Sequence, residues 1–186
     1  MVTDPRVPRP RSRYDAPMIT TAQVERALAT IPDPEMPISI TELGIIDGID
    51  LEPTASGAAI VRIALLPTFV GCPALDMIER QIVEKVTRLD GVERVEVRVI
   101  YDPPWTVDRI SESGRASLRE HGVTVPSPGD APAGGSTLVK LRTSAVPCPF
   151  CGSTEIHLDS AFGPTRCRSI HYCDACRNTF EHLKRV

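Results

Sequence analysis

A chain of 186 residues with 41% hydrophobic and 24% charged residues has the composition of a folded protein, which excludes the low-hydrophobicity, high-charge regime of disorder. Net charge is -3, and residues 1–135 carry 14 Lys and Arg against 20 Asp and Glu while residues 136–186 carry 7 against 4, so neither part has the dense basic stripe of a phosphate-neutralising surface. No stretch approaches the roughly 20 apolar residues of a membrane span, and the N-terminus lacks the apolar run of a signal peptide, so a cytoplasmic protein is expected.

Residues 1–18 combine four Arg, one Tyr and four Pro without periodicity and read as a flexible, solvated tail. With Thr20 or Thr21 as N-cap, the next segment places Val24, Leu28 and Ile31 on one helical face and stops at Pro32. Asp33-Pro34-Glu35-Met36-Pro37 cannot continue the helix, because each proline biases its predecessor towards extended backbone. Ile45, Ile49 and Leu51 then fall at even spacing, and a turn-rich stretch over 52–57 leads into AAIVRIALLPT, which together predict a hairpin. After Gly71-Cys72-Pro73, Leu75, Ile78, Ile82, Val86 and Leu89 recur three or four apart, predicting an amphipathic helix that Gly91 ends. Over 92–101, Val95, Val97 and Val99 alternate with Glu96 and Arg98, the pattern of a strand with one dry face. A rigid turn, Asp102-Pro103-Pro104-Trp105-Thr106, precedes one or two short helices ending near Gly122.

This order predicts an α+β fold over 19–123, a small three-stranded sheet with helices packed on one face. Residues 124–136 are nearly all Pro, Gly, Ala, Ser or Asp and read as a linker to a separate small β module over 137–186.

In that module Cys148-Pro-Phe-Cys151 and Cys173-Asp-Ala-Cys176 stand 21 residues apart, close to the spacing of two zinc knuckles. A piece this short has too little apolar material to fold alone, so a metal must replace a core. Zinc suits four thiolates because it is redox-silent and accepts a closed tetrahedral shell; iron in a four-sulfur site is the alternative. A structural zinc ribbon held by Cys148, Cys151, Cys173 and Cys176 is therefore expected. Cys167, between the knuckles, reads as a small core residue, and His157, His171 and His182 as surface or packing residues.

Cys72 stands apart from this set. Its place before Pro73 puts it at or near the N-cap of the amphipathic helix, where unpaired N–H groups and the positive end of the dipole favour a thiolate. A reactive or metal-holding thiol and a buried small residue remain equal readings. No catalytic base is evident nearby, Asp33 and Glu35 being distant in sequence, so catalysis by the chain itself is not expected.

Residues 20–122 resemble the iron–sulfur cluster assembly domain of the SufT-like family, through Asp33-Pro34-Glu35-Met36-Pro37, Leu43-Gly44 and Pro67-Thr68-Phe69-Val70-Gly71-Cys72-Pro73. With Pro103-Pro104-Trp105-Thr106 and the four-Cys ribbon, the whole resembles the PaaD-like accessory family of the phenylacetyl-CoA epoxidase system of aerobic phenylacetate degradation. The resemblance implies a maturation factor that works with the oxygenase and reductase components and handles transient iron or an iron–sulfur cluster; a homodimer is a further expectation. It implies iron or cluster transfer at Cys72 and, because the family's ribbon has a cysteine after a matching Phe162-Gly163-Pro164-Thr165-Arg166 motif, at Cys167. Asp33, Glu35 and Trp105 are expected in a functional loop. Asn178-Thr179 departs from the family's Glu-Pro pair. Readings from other classes are a structural subunit of the oxygenase and a nucleic-acid-binding ribbon, the latter disfavoured by the few basic residues of the module.

Overall fold

The first helix, α1 (Thr21–Leu28), begins with a reciprocal cap: Thr20 Oγ1 accepts the Gln23 N–H at 3.3 Å while Gln23 Oε1 accepts the Thr20 N–H at 2.9 Å. The computed structural model describes residues 19–127 and 146–185, so the tail expected over 1–18 and the linker beyond residue 127 lie outside the described residues. Past the helix, Asp33 Oδ1 accepts the N–H groups of Glu35 and Met36, both at 2.9 Å, which holds the two-proline loop in one conformation.

Strands β1 (Ile46–Pro53) and β2 (Ala59–Leu65) form the antiparallel hairpin, and α2 (Leu75–Thr87) carries the chain across to β3 (Val92–Val99), parallel to β2. The sheet order is β1-β2-β3. Alternation decides which face is dry: Ala59, Val61, Ile63 and Leu65 of the central strand are buried with Leu75, Ile78, Ile82 and Val86 of α2. On the other face Arg62 bridges Glu52 and Glu96 on the two flanking strands, and Arg94 adds a pair with Glu96 at 2.6 Å. The helices therefore pack on one face only. Strand β3 ends at Val99 rather than 101, and its valines are only half-buried because it lies at the sheet edge.

Trp105 is a core residue, 3% exposed, and its indole N–H donates to the Leu43 carbonyl at 3.1 Å. It packs in the core and does not line the cleft described below. A 3-10 turn, Val107–Arg109, then sets Arg109 over an irregularity in β1 between Ile46 and Gly48. Its guanidinium donates to the Gly44 carbonyl at 2.7 Å and the Ile46 carbonyl at 3.2 Å, and pairs with Asp47 at 3.0 Å. Gly44, at φ +73°, lets the chain pass directly under the Arg109 backbone. Helix α3 (Glu112–Glu120), capped by Ser111 through the Gly114 N–H at 3.0 Å, completes this part.

The second sheet joins β4 (Val123–Thr124), β5 (Ile156–Ser160), β6 (Arg168–Cys173) and β7 (Thr179–Leu183) in the order β4-β7-β6-β5. Thr124, expected to open the linker, belongs to β4 instead. It lies parallel to β7, its hydroxyl contacts the Glu181 carbonyl at 3.2 Å and His182 Nδ1 at 2.9 Å, and Glu181 N–H donates to the Gly122 carbonyl at 3.0 Å. Composition could not show this, because the edge of β7 supplies the partner groups. Leu183 and Cys167 join the main core, while Cys148, Cys173 and Phe180 form a second, much smaller one.

The bulge clamp makes Gly44 irreplaceable. A Cβ there would overlap the Arg109 carbonyl oxygen and stand 2.7 Å from its Cβ, on a backbone that already disfavours side chains. Gly44→Ala is expected to cost about 2–4 kcal/mol, seen as a lowered urea midpoint at constant slope, whereas Gly48→Ala, with open space around it, should change stability by less than about 1 kcal/mol.

Candidate metal centre and cysteine cleft

Each knuckle closes by the same device. Gly152 N–H donates to the Cys148 carbonyl at 2.9 Å and Arg177 N–H to the Cys173 carbonyl at 2.8 Å, with both turns requiring a positive φ, 75° at Gly152 and 58° at Arg177. Glycine takes that conformation freely; Arg177 takes it at a cost of roughly 1–2 kcal/mol. The two tips bring the thiols of Cys148, Cys151, Cys173 and Cys176 within 4.8 Å of one another, with the Cys148–Cys176 and Cys151–Cys173 sulfurs 3.6 Å apart and no disulfide among them. A tetrahedral ion with metal–sulfur bonds of about 2.3 Å requires sulfur–sulfur edges of about 3.8 Å, so the donor set fits zinc. These four residues would hold it, and a closed thiolate shell supplies fold stability without an open coordination position.

Asn178 reaches this centre, its amide lying 3.5 Å from Cys176 Sγ. That donation, with further hydrogen bonding, lowers the Cys176 thiol to about 6. The Ser153 amide acts in the same direction on Cys151, but burial and the three neighbouring sulfurs outweigh it and push that thiol up to about 12. The histidines lie outside the tetrad. His157 pairs with Asp174 at 3.1 Å, His171 stacks on Phe180 at 5.6 Å, and the His182 ring meets His171 edge-on at 5.4 Å. Burial, then the charges of His171 and Arg185, lowers His182 to about 4.

Cys72 is elsewhere. The helix cap is Ala74, two residues further on, and Cys72 sits in the turn before it, where its N–H contacts the Phe69 carbonyl at 3.3 Å. Cys72 is thus near the helix start, as expected, but ahead of the cap and not on it. Burial raises the Cys72 thiol, the Ala74 amide only partly offsets this, and Glu35, Asp33 and Cys167 raise it further, so it rests as a neutral thiol. Asp33 is itself raised, chiefly by burial.

Cys72 lines a cleft of about 420 Å³ together with Glu35, Phe69, Thr165, Arg166 and Cys167. Glu35, remote in sequence, is thus on the wall beside Cys72. Cys167, from the ribbon, is 5% exposed with its sulfur 3.1 Å from Thr165 Oγ1, and Arg166 lies over the Phe69 ring at 5.9 Å. Asp33 braces the adjoining loop and does not line the cleft. The parts that sequence reasoning missed are Phe69, Thr165 and Arg166 as lining residues and the Arg168–Glu181 pair at 2.5 Å behind them. Phe69, Thr165 and Arg166 stand in the motifs that carry the family resemblance, which gave them no place in a cleft, and nothing nearby in sequence signalled the Arg168–Glu181 pair.

The chain is thus a cysteine-bearing α+β unit joined to a four-thiol ribbon, and the family models divide it in the same way. Residues 21–99 match an iron–sulfur cluster assembly protein and residues 133–184 match the PaaD zinc β-ribbon domain. An Escherichia coli protein named as a subunit of 1,2-phenylacetyl-CoA epoxidase is 39% identical over 158 residues, covering 84% of this chain and 88% of that protein. The chain belongs to the PaaD family. An Fe-S protein maturation auxiliary factor of Porphyromonas gingivalis is 33% identical over 53% of this chain and 90% of its own length. A conserved hypothetical protein of Thermotoga maritima superposes with a TM-score of 0.47 at 29% identity, over 57% of this chain and 96% of that one.

Two outcomes test this geometry. Replacing Gly152 by Ala meets no steric obstacle, so it adds only the cost of the backbone conformation, about 1 kcal/mol, and metal release to a chelator should become about five-fold more favourable; Arg177→Gly should shift it the other way. His182, lowered from 6.5 to about 4, gives stability that is complete above about pH 6.5 and lost as pH falls towards 4, because the unfolded chain takes up the proton first. Between pH 7 and pH 5 the wild type should lose about 2 kcal/mol more than His182→Gln in urea titrations of metal-loaded protein.

Proposed function

We propose that the protein is a non-catalytic maturation factor that helps supply an iron–sulfur cluster to the multicomponent phenylacetyl-CoA epoxidase, with the reductase component as recipient and the oxygenase components as further partners. The observation that carries this is the position of Cys72: a half-buried neutral thiol on a cleft wall, inside the segment matching the assembly family. The names of the Escherichia coli and Porphyromonas gingivalis relatives support the same reading. On this reading the assembly unit runs from residue 19 to Thr124 of β4, residues 125–136 form the linker and 137–186 a ribbon whose zinc is structural. Cys72 holds iron or a cluster in passing, as cargo, and the protein acts in the cytoplasm. No described helix is long and apolar enough to cross a membrane.

The cleft offers a carboxylate, Glu35, and two thiols, but its thiol is held in the form that does not attack electrophiles. A soft metal displaces a thiol proton where a carbon electrophile would not, so the site suits metal handling better than covalent catalysis. A second reading, a structural component of the oxygenase, is favoured by one observation, the epoxidase membership stated in the Escherichia coli relative's name. It requires co-purification with the oxygenase at fixed stoichiometry.

Co-expression of the reductase with the wild type and with Cys72→Ala tests the proposal. Cluster occupancy of the purified reductase, measured as iron and acid-labile sulfide, should fall at least several-fold with the variant. Equal occupancy would remove the proposed role.

A further inference from the structure

The maturation reading needs only Cys72, yet the cleft holds a second thiol from the other unit. Cys167 takes no part in the four-sulfur centre, and its placement is heavily determined. Lys184 N–H donates to its carbonyl at 2.8 Å, while next to it Arg168 links Thr165 at 2.9 Å to Glu181 at 2.5 Å. Strand β7, which carries Glu181, is paired with β4 of the first unit. Arg166 over Phe69 joins the two lining segments directly. Metal at the far end of the ribbon and strand pairing at the near end thus converge on one result, which is to hold Cys167 on the cleft that Cys72 lines.

The size of the cleft says what such a pair would hold. Among the described residues, no group of three or more His, Cys, Asp or Glu side chains outside the ribbon tetrad comes together as a metal site, so the cleft is not shaped around a bare ion. At about 420 Å³ it has room for a multi-atom guest, and two sulfurs demand a thiophilic one. We propose that Cys72 and Cys167 jointly ligate one iron–sulfur cluster in this cleft, one thiolate from each unit, leaving the remaining coordination positions to the molecules that deliver and receive it.

This inference builds on the maturation reading and adds a second ligand and a task for the ribbon. Loading is redox-neutral ligand exchange: at each site a cysteine sulfur bonds to iron, an external thiolate leaves the same iron, and the cysteine proton departs on that thiol. No electron changes hands. A cluster held by two protein thiolates is bound yet still open to attack by the recipient's own cysteines, the arrangement transfer requires. Burial of Cys72 fits this cycle, since a protonated resting thiol resists oxidation until iron displaces the proton.

The test uses the full chain, zinc-loaded and anaerobic, reconstituted with ferric iron, sulfide and dithiothreitol, the dithiol reducing that part of the iron which the cluster holds as ferrous. Iron, acid-labile sulfide and zinc are counted after desalting. Wild type should retain cluster above its single zinc. Cys72→Ser and Cys167→Ala should each lose at least ten-fold of the retained cluster with zinc unchanged, and the double variant should be no worse than either. Alkylation mapping of the wild type provides a check that needs no variant: cluster loading should protect Cys72, the accessible thiol of the pair. Cluster retention in Cys167→Ala equal to wild type, unchanged alkylation of Cys72 on loading, or no cluster on the wild type would each overturn the two-thiol site. Loss only in Cys72→Ser would leave the maturation reading intact, whereas a normal two-thiol site with no effect of Cys72→Ala on the reductase would overturn that reading alone.

Discussion

The parallel pairing of two residues, Val123 and Thr124, with the outer edge of β7 governs how the two parts of this chain meet. Those few backbone contacts, with the Glu181 N–H to Gly122 and the Thr124 hydroxyl on His182, convert a small ribbon into an extension of the first unit. Their effect exceeds their number because of what they hold in place. Leu183 and Cys167 are buried in the main core, and the cleft beside Cys72 exists only while the ribbon stays docked. A ribbon tethered by a linker alone would explore many orientations and could present Cys167 to no fixed partner.

The ribbon is consequently stabilised by different physics at its two ends. At the knuckles the apolar core consists of Cys148, Cys173 and Phe180, far short of what a free-standing fold needs, and the thiol tetrad supplies the missing cohesion. At the docked end the cohesion is ordinary burial and strand pairing. Loss of metal should therefore loosen the knuckles first and reach the cleft only through the strands between them. The first unit shows the opposite economy: its stability comes from an aliphatic core, while a ladder of charges on the exposed sheet face keeps that face wet.

What the sequence could disclose followed from the range of each interaction. Repeats three or four apart located α2, even spacing and a turn-rich stretch located the β1–β2 hairpin, alternation located β3, and the spacing of two Cys-x-x-Cys pairs located the tetrad, because in each case the informative partners are close in sequence or repeat a known interval. Long-range partners were illegible. Nothing near Thr124 announces that β7 will lie beside it, nothing near Arg109 reveals the bulge it will clamp, and Glu35 gives no sign of a place next to Cys72. The packing of Trp105 was illegible for the same reason, because the Leu43 carbonyl that accepts its N–H lies 62 residues upstream.

Cys72 shows how a correct local motif can carry a wrong electrostatic conclusion. Gly-Cys-Pro does stand before a helix, but the turn Gly71 to Ala74 places the sulfur ahead of the cap, where burial and two carboxylates outweigh the single helpful amide. The consequence is chemical. A thiolate pre-formed at a helix start would be ready for electrophiles and for oxidants alike, whereas a neutral thiol gives up its proton only to something that binds sulfur strongly enough to displace it. Tetrad and cleft then differ in kind: four crowded sulfurs enclose an ion on every side, while two sulfurs on a cleft wall leave a guest accessible. Permanence belongs to the first arrangement and transfer to the second, and the docking of β7 on β4 lets one short chain contain both.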